Sequence, residues 1–364
     1  MALRAGVVGM GMIGDVHAGC HQKDPLAELV AVCDVVKEKA DKAAEKYGIK
    51  AYTSLREMLS NEQLDVIDVT TGGYENGSWH YEPAMEALEA GKHVLVEKPL
   101  SNRIEEAREM VEKAARKKVY LGCNLNHYFT PPAERAMQYI QDGQIGEQVY
   151  CLHKMGFNGG EYLFSPNMGD RARKFQYFHT KAFLTHPFSV MRHFCGDITH
   201  VQAFFDKPGF RKSARQLLLS INSIHVRFAS GGIGYLISHR GDAMYGLGGW
   251  WSFELAGTKG TLCIENAIEK LTYWGAPKKG TGTPAPEVMN TGIKDFGETM
   301  PRRIHAFLED VQSGMHPENI RASGRDALAA LEYTFAAMES CEEGGALVRP
   351  NPLPPVHGDP INMK

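Results

Sequence analysis

Ala90-Gly91-Lys92-His93-Val94-Leu95-Val96-Glu97-Lys98-Pro99 reads as a helix stop, an apolar strand, and then an acid, an ammonium and a proline where that strand ends. In an open parallel sheet, ligands bind in the crevice outside the carboxyl ends of the strands. A lysine carried there by a buried strand points at the reacting end of whatever the sheet holds. Pro99 has no N–H to continue a ladder, so it ends the strand and sets the direction of the chain just after the lysine. The segment separates a nucleotide-cofactor enzyme from a generic α/β domain.

Working outward, Leu3–Val8 reads as a first strand, followed directly by Gly9-Met10-Gly11-Met12-Ile13-Gly14. Glycines in this G-x-G-x-x-G spacing allow a tight turn, close approach of backbone N–H groups to a pyrophosphate, and close helix–strand packing. The motif alone is weak, and its context supplies the weight. Glu28–Cys33 is a second strand, and Asp34 ends it 20 residues beyond Gly14, where a carboxylate accepts hydrogen bonds from ribose hydroxyls. An acid there repels a 2′-phosphate, so NAD is favoured over NADP, with Lys37 near enough to blunt the preference. The candidate cofactor contacts are Gly9, Gly11, Met12, Ile13, Gly14, Asp34, Thr70, Thr71, Glu97, Lys98 and Asn124.

Through residue 123 strands and helices alternate. Lys37–Tyr47 is a helix closed by Gly48; Ser54-Leu55-Arg56-Glu57 and Asn102-Arg103-Ile104-Glu105 read as capping boxes opening two more. Val66–Val69 is a strand running into Thr70-Thr71, Pro83–Ala90 is helical, and Val119–Cys123 is the last strand of the unit. Such alternation predicts an α/β Rossmann domain with a doubly wound parallel sheet over residues 1–123. Past Asn124 the pattern changes. A helix at Pro131–Gln141 precedes strands at Gln148–His153, Ile198–Phe205, Gln216–Ala229, Gly232–His239, Trp251–Gly257, Thr261–Glu265 and Lys270–Trp274, with Ser230-Gly231-Gly232 as a hairpin turn. Residues 124–348 are therefore expected to form an α+β domain with a large, mostly antiparallel open sheet. Residues 276–297 read as a long surface loop, Arg302–Ser313 and Arg325–Glu339 as helices, and residues 349–364 as a Pro-rich tail.

At 364 residues and a net charge of −3 the chain suits two domains and gives no reason to expect nucleic acid or an anionic membrane as partner. No apolar run approaches the length of a membrane span. Seven cysteines contain no C-x-x-C pair, and several sit in apolar strands; buried free thiols and a reducing, cytoplasmic compartment are expected. The 15 histidines are dispersed without a metal-ligand spacing, and no G-x-S-x-G is present, so no metal is expected.

Lys98 is the first candidate for chemistry, as a donor to a substrate hydroxyl. The second constellation is the helix Lys181–Cys195, ending at Gly196 and carrying His186 and His193. His186 is the candidate base, because oxidation of an alcohol needs a group that takes the hydroxyl proton as hydride leaves carbon. His193, near the helix end, reads as a contact to the C-terminal dipole.

These pieces in this order resemble the glucose–fructose oxidoreductase and inositol dehydrogenase family (Gfo/Idh/MocA). The matching segments are the first strand with Gly9, Gly11 and Gly14, then Asp34, Ala90–Val94, Glu97-Lys98-Pro99, and the helix with His186 before Phe194-Cys195-Gly196-Asp197. Gly143-x-Ile145-Gly146-Glu147 and the run from Gly314 through Pro317 to Ser323–Ala327 also look like that family. The resemblance implies bound NAD(H) or NADP(H), a small polyhydroxylated substrate (a sugar, sugar acid or cyclitol), and a homodimer or homotetramer formed through the open sheet face. It implies that Lys98 and His186 act on the substrate hydroxyl. Asn126, His127, Tyr128, Asn158, Tyr177, His179 and Lys181 are candidate substrate contacts by their place near the opening of the second domain. Ala182 and Ser189 stand where sugar- and inositol-oxidising members often carry Asp, which leaves His179, Lys181 or Lys98 to share the proton path. The stretch Thr71–His80 is longer than the usual link at that strand end. Two other functions fit the same residues: a redox-assisted glycosidase that regenerates NAD in each turnover, and a non-catalytic sugar- or dinucleotide-binding regulator.

Overall fold

A computed structural model describes residues 2–73, 79–157, 177–206, 221–240, 246–277 and 280–354. Contacts divide these residues into two units that are not contiguous in sequence. The first comprises residues up to Asn126, Met300–Ala329 and the described residues from Pro352; the second comprises His127–Thr299 and Ala330–Asn351.

The first unit runs β1 (Leu3–Val8), α1 (Met12–Lys23), β2 (Ala27–Cys33), α2 (Lys37–Tyr47), β3 (Lys50–Tyr52), α3 (Leu55–Asn61), β4 (Val66–Val69), α4 (Tyr81–Glu89), β5 (His93–Val96), α5 (Ile104–Lys117) and β6 (Leu121–Cys123). Its strands are parallel, in the order β3-β2-β1-β4-β5-β6. This is the doubly wound sheet expected from the alternation. The order reverses between β1 and β4, so their carboxyl ends open the crevice at which such sheets bind ligands. β4 and β5 are short and buried along nearly their whole length, which explains why they read as apolar runs rather than alternating strands. Ser54 caps α3 by accepting from the Glu57 N–H at 3.4 Å, as its capping box predicts. Ahead of α5, Ser101 Oγ accepts from the Arg103 N–H at 3.1 Å and donates to Glu106.

The second unit holds α6 (Pro131–Gln141), β7 (Gln148–Phe157), α7 (Phe178–Cys195), β8 (Ile198–Asp206), β9 (Ile221–Phe228), β10 (Ile233–Arg240), β11 (Trp251–Gly257), β12 (Gly260–Glu265), β13 (Lys270–Gly275) and β14 (Glu287–Asn290). Its sheet has the order β14-β13-β12-β11-β7-β10-β9-β8. All neighbours are antiparallel except β10 with β7. The turn at Ser230–Gly232 joins β9 to β10 with Gly231 at φ 92°, a left-handed conformation that suits glycine. β14 lies within the stretch read as loop, because Pro and Thr around Glu287–Asn290 mask a short edge strand whose side chains are mostly exposed. The expected start of β9 at Gln216 lies outside the described residues.

Two later helices close the chain, α8 (Thr299–Ser313) and α9 (Gly324–Glu342). Ile304, Phe307, Leu308 and Val311 recur at helical spacing on α8 and pack against Leu3, Val66, Leu95 and Tyr120 in the core of the first unit. Each such buried side chain contributes about 1.5–3 kcal/mol. Arg303, also on α8 and fully buried, donates from Nε to the Cys123 carbonyl at 2.9 Å and from Nη2 to the Ala322 carbonyl at 3.1 Å.

Candidate active site

In the first unit the glycine loop is built by close backbone contact. A Cβ at Gly14 would stand 1.9 Å from the Gly9 carbonyl oxygen, and Gly9 itself has φ 97°. Around Gly11, by contrast, an added Cβ meets nothing within 4 Å, so the loop is open on the side where a pyrophosphate would approach. α1 begins at Gly11 with no side-chain cap, leaving its first N–H groups and the positive end of its dipole for an anion. Asp34 sits at the end of β2, 8% exposed, accepting from the Met10 N–H at 2.7 Å and the Val36 N–H at 2.8 Å. Both carboxylate oxygens are thus oriented by the backbone. Met12 and Val35 beside them are exposed apolar side chains, suited to contacting a nucleotide base. Lys37 is turned to Asp41, with Nζ 2.5 Å from Oδ2, rather than to Asp34.

Thr70 and Thr71 use their hydroxyls on the protein. Thr70 Oγ1 donates to the Val8 and Gly9 carbonyls at 3.0 and 2.7 Å, tying β4 to the glycine loop. Thr71 Oγ1 donates to the Trp79 carbonyl at 2.7 Å and so brackets the segment whose residues 74–78 lie outside the described ones. Glu97 and Lys98 follow β5 at the same sheet edge, and Asn124 follows β6. One Glu97 oxygen accepts from Asn124 Nδ2, and the other accepts from the Lys98 N–H at 3.1 Å.

Behind Glu97 lies a cluster that motif reading did not single out. His17 Nδ1 is 2.8 Å from Asp68 Oδ2, its Nε2 is 3.1 Å from Glu97 Oε1, and His21 Nε2 is 2.9 Å from the same Asp68 oxygen. His17, His21 and Asp68 are fully buried. Burial alone would lower the His17 pKa, but the charges and hydrogen bonds of Asp68 and Glu97 outweigh it and raise it to about 10. For Asp68, burial is overridden by His17 and His21, and the carboxyl is held well below the usual range. Glu97 is lowered too: against its burial act His17, Lys98 and Asn124. Two signals were legible: an acid inside the apolar strand Val66-Ile67-Asp68-Val69, and two histidines one helical turn apart just after the glycine loop.

In the second unit His186 lies on α7, 7% exposed, with its ring stacked on that of His127 at 3.8 Å between centroids. Trp251 Nε1 donates to His127 Nδ1 at 3.2 Å, so that nitrogen is an acceptor and the ring's proton sits on Nε2. Phe296 meets His127 edge-on at 4.9 Å. Ala182 is packed inside, and Ser189 donates from Oγ to the His186 carbonyl at 2.7 Å, so neither presents a polar group to the His186 ring. Tyr128 is buried and stacks at 4.1 Å on His193, which lies in the last turn of α7. Lys181 Nζ lies 5.3 Å from the Phe335 ring centre. Tyr177 is held neutral by burial and by Glu342, which raise its pKa, and its ring meets Phe205 edge-on. Asn126 Nδ2 lies 3.6 Å from Met300 Sδ, within the first unit. Asn158 lies outside the described residues, as does the side chain of His179. Among the described residues, no group of three or more His, Cys, Asp or Glu is arranged to hold a metal ion, and no helix is long and apolar enough to cross a membrane.

A doubly wound parallel sheet with a glycine loop, a ribose-type carboxylate and a lysine at its carboxyl edge defines a dinucleotide-binding unit. Residues 3–125 match the model of an oxidoreductase family with an NAD-binding Rossmann fold. Over those residues the chain is similar to this family, Gfo/Idh/MocA. It is 24% identical over 355 residues to a myo-inositol 2-dehydrogenase of Thermotoga maritima, covering 94% of this chain and 97% of that protein. A D-glucoside 3-dehydrogenase of Escherichia coli K12 is 36% identical over 149 residues, 40% of this chain and 41% of that one. Among solved structures, a levoglucosan dehydrogenase in complex with NADH shares the fold with a TM-score of 0.82 at 21% identity, covering 96% of this chain and all of that one. An NAD-binding oxidoreductase from Klebsiella pneumoniae gives 0.81 at 22% identity, over 97% and 100% of the two chains.

Proposed function

We propose that this protein is an NAD-dependent dehydrogenase acting on a secondary hydroxyl of a sugar, sugar acid or cyclitol. When bound, NAD supplies the hydride acceptor. The observation that carries the reading is Lys98, set at the carboxyl edge of a sheet whose glycine loop and Asp34 suit a dinucleotide. In this reading the Lys98 ammonium polarises the substrate oxygen and His186 takes the hydroxyl proton as the carbon–hydrogen bond breaks. Asn126, His127, Tyr128, Asn158, Tyr177, His179 and Lys181 are the chain's candidates for orienting the polyol. Names of the relatives support the substrate class: inositol, D-glucoside and levoglucosan are all polyhydroxylated rings. The backbone-oriented Asp34 carboxylate favours NAD over NADP by repelling a 2′-phosphate. A homodimer or homotetramer through the open sheet face and a cytoplasmic location complete the reading.

The test is a screen of sugars, sugar acids and inositols with NAD and with NADP, following absorbance of the reduced cofactor. Accumulation of NADH with at least one polyol, and a higher kcat/KM with NAD, is expected. A preference for NADP would overturn the role of Asp34. Glycoside cleavage without net NADH would replace the dehydrogenase with the redox-assisted glycosidase.

A further inference from the structure

The arrangement around His17 asks for an explanation that packing does not supply. A buried ion network is a poor source of stability, since desolvation offsets most of the attraction, and apolar residues of similar volume commonly do as well. Here the network ends on the residue next to the candidate catalytic lysine. An ionised carboxylate only accepts hydrogen bonds, so a ring with Asp68 at Nδ1 and Glu97 at Nε2 must donate from both nitrogens. His17 is then an imidazolium with no lone pair, and cannot act as acid–base partner of a substrate. With the ring protonated on both nitrogens, Asn124 Nδ2, 3.2 Å from His17 Nε2, donates to Glu97 Oε1. Asp68, His17, Glu97 and Lys98 form a row of alternating charge, its Lys98 end at the carboxyl edge of the sheet.

We propose that His17 is a positioning residue for Lys98: as a permanent imidazolium between Asp68 and Glu97, it locks the Glu97 carboxylate, which holds the Lys98 backbone. The inference rests on the reading of Lys98 given above. Glu97 has one oxygen bound by His17 and Asn124 and the other by the Lys98 N–H. Losing the imidazolium leaves a buried carboxylate that takes up a proton more readily and is held only by the Asn124 amide and the Lys98 N–H. Other groups facing Glu97 are Cys123 on β6, His80 ahead of α4, and Lys98 itself, while His21 and Asp68 face it only through His17. His80 is lowered by burial, with its Nδ1 2.7 Å from the Pro99 carbonyl, and the Cys123 thiol is raised by burial. Both are neutral near pH 7, so His17 is the buried cation set against Glu97.

Two measurements decide it. In cofactor-free protein labelled with 15N-histidine, the His17 ring, assigned by its loss in His17→Gln, should carry protons on both nitrogens at pH 7 and titrate near pH 10. A neutral ring at pH 7 overturns the proposal. If His17→Gln does not fold, Asp68→Asn, which keeps an acceptor but removes its charge, should bring the His17 titration down by about one pH unit or more, and an unmoved titration overturns it. In the working enzyme, His17→Gln should lower kcat by about tenfold or more with the KM for NAD unchanged, because the loss falls on the placement of Lys98. Glu97→Gln should lower kcat in the same way. A fall in melting temperature with kcat unmoved would make His17 merely structural. If no substrate is turned over, the proposed function falls, while the nitrogen titration still decides the state of His17.

Discussion

At Lys98 the backbone N–H is bound by Glu97 and the side chain leaves at the carboxyl edge of the sheet. Lys98→Met should keep fold and NADH affinity while lowering kcat, since a group that meets developing charge acts chiefly in the transition state. Loss confined to NAD affinity, measured by fluorescence titration, would make the lysine a cofactor contact only. His186 differs, because its neighbours in the second unit are aromatic: His127 stacks on it, and Ala182 and Ser189 give its ring no carboxylate. His186→Ala should lower kcat by about 10²–10⁴-fold, the range of a general base. A loss below about tenfold, with Lys181→Ala the more damaging variant, would move the proton path to Lys181. The sequence showed Lys98, His186 and the missing acids. It could not show the His127 stack or the Trp251 hydrogen bond, since both join residues far apart in the chain.

At the scale of elements, buried groups contribute to stability with opposite pH signs. On α1, His17 is raised above its unfolded value of about 6.5, so its contribution to stability is full below that pH and is lost as pH rises through about 10. β4 carries Asp68, lowered below its unfolded value, so its contribution is present above about pH 4 and is lost in stronger acid. β7 carries His153, lowered to about 4 by burial, and its contribution is present above about pH 6.5 and lost as pH falls toward 4. The thermal midpoint should therefore rise from pH 4 to about 6.5 and fall above it. In His17→Gln the fall between about pH 6.5 and 8 should vanish. An unchanged alkaline slope in that variant would show that His17 does not carry the charge assigned to it. Helix and strand identities were legible from apolar spacing and glycine stops. β14 was not, because an edge strand buries few side chains.

For the whole molecule, the eight-stranded sheet turns Tyr150, Leu152, Ile233 and Tyr235 to one face, with Leu152 and Ile233 46% and 60% exposed. Its opposite face carries the buried Cys151, His153, Met155 and Leu236. If the outward face joins copies of this chain, Leu152→Lys combined with Ile233→Lys should shift the mass by light scattering to that of a monomer. An unchanged oligomer would place the interface elsewhere.

What the sequence determined by itself was local: the alternation that makes a parallel sheet, the glycine loop, Asp34 at a strand end and the lysine before Pro99. These depend on spacing within one or two elements, which a linear reading resolves. Tertiary structure decided what depends on distance in space. It brought α8 back to the first unit, placed Arg303 on the carbonyls of Cys123 and Ala322, and joined α1, β4 and β5 through His17. Residues 51 and 80 positions apart share that imidazole, and no periodicity along a chain encodes which buried charges will meet.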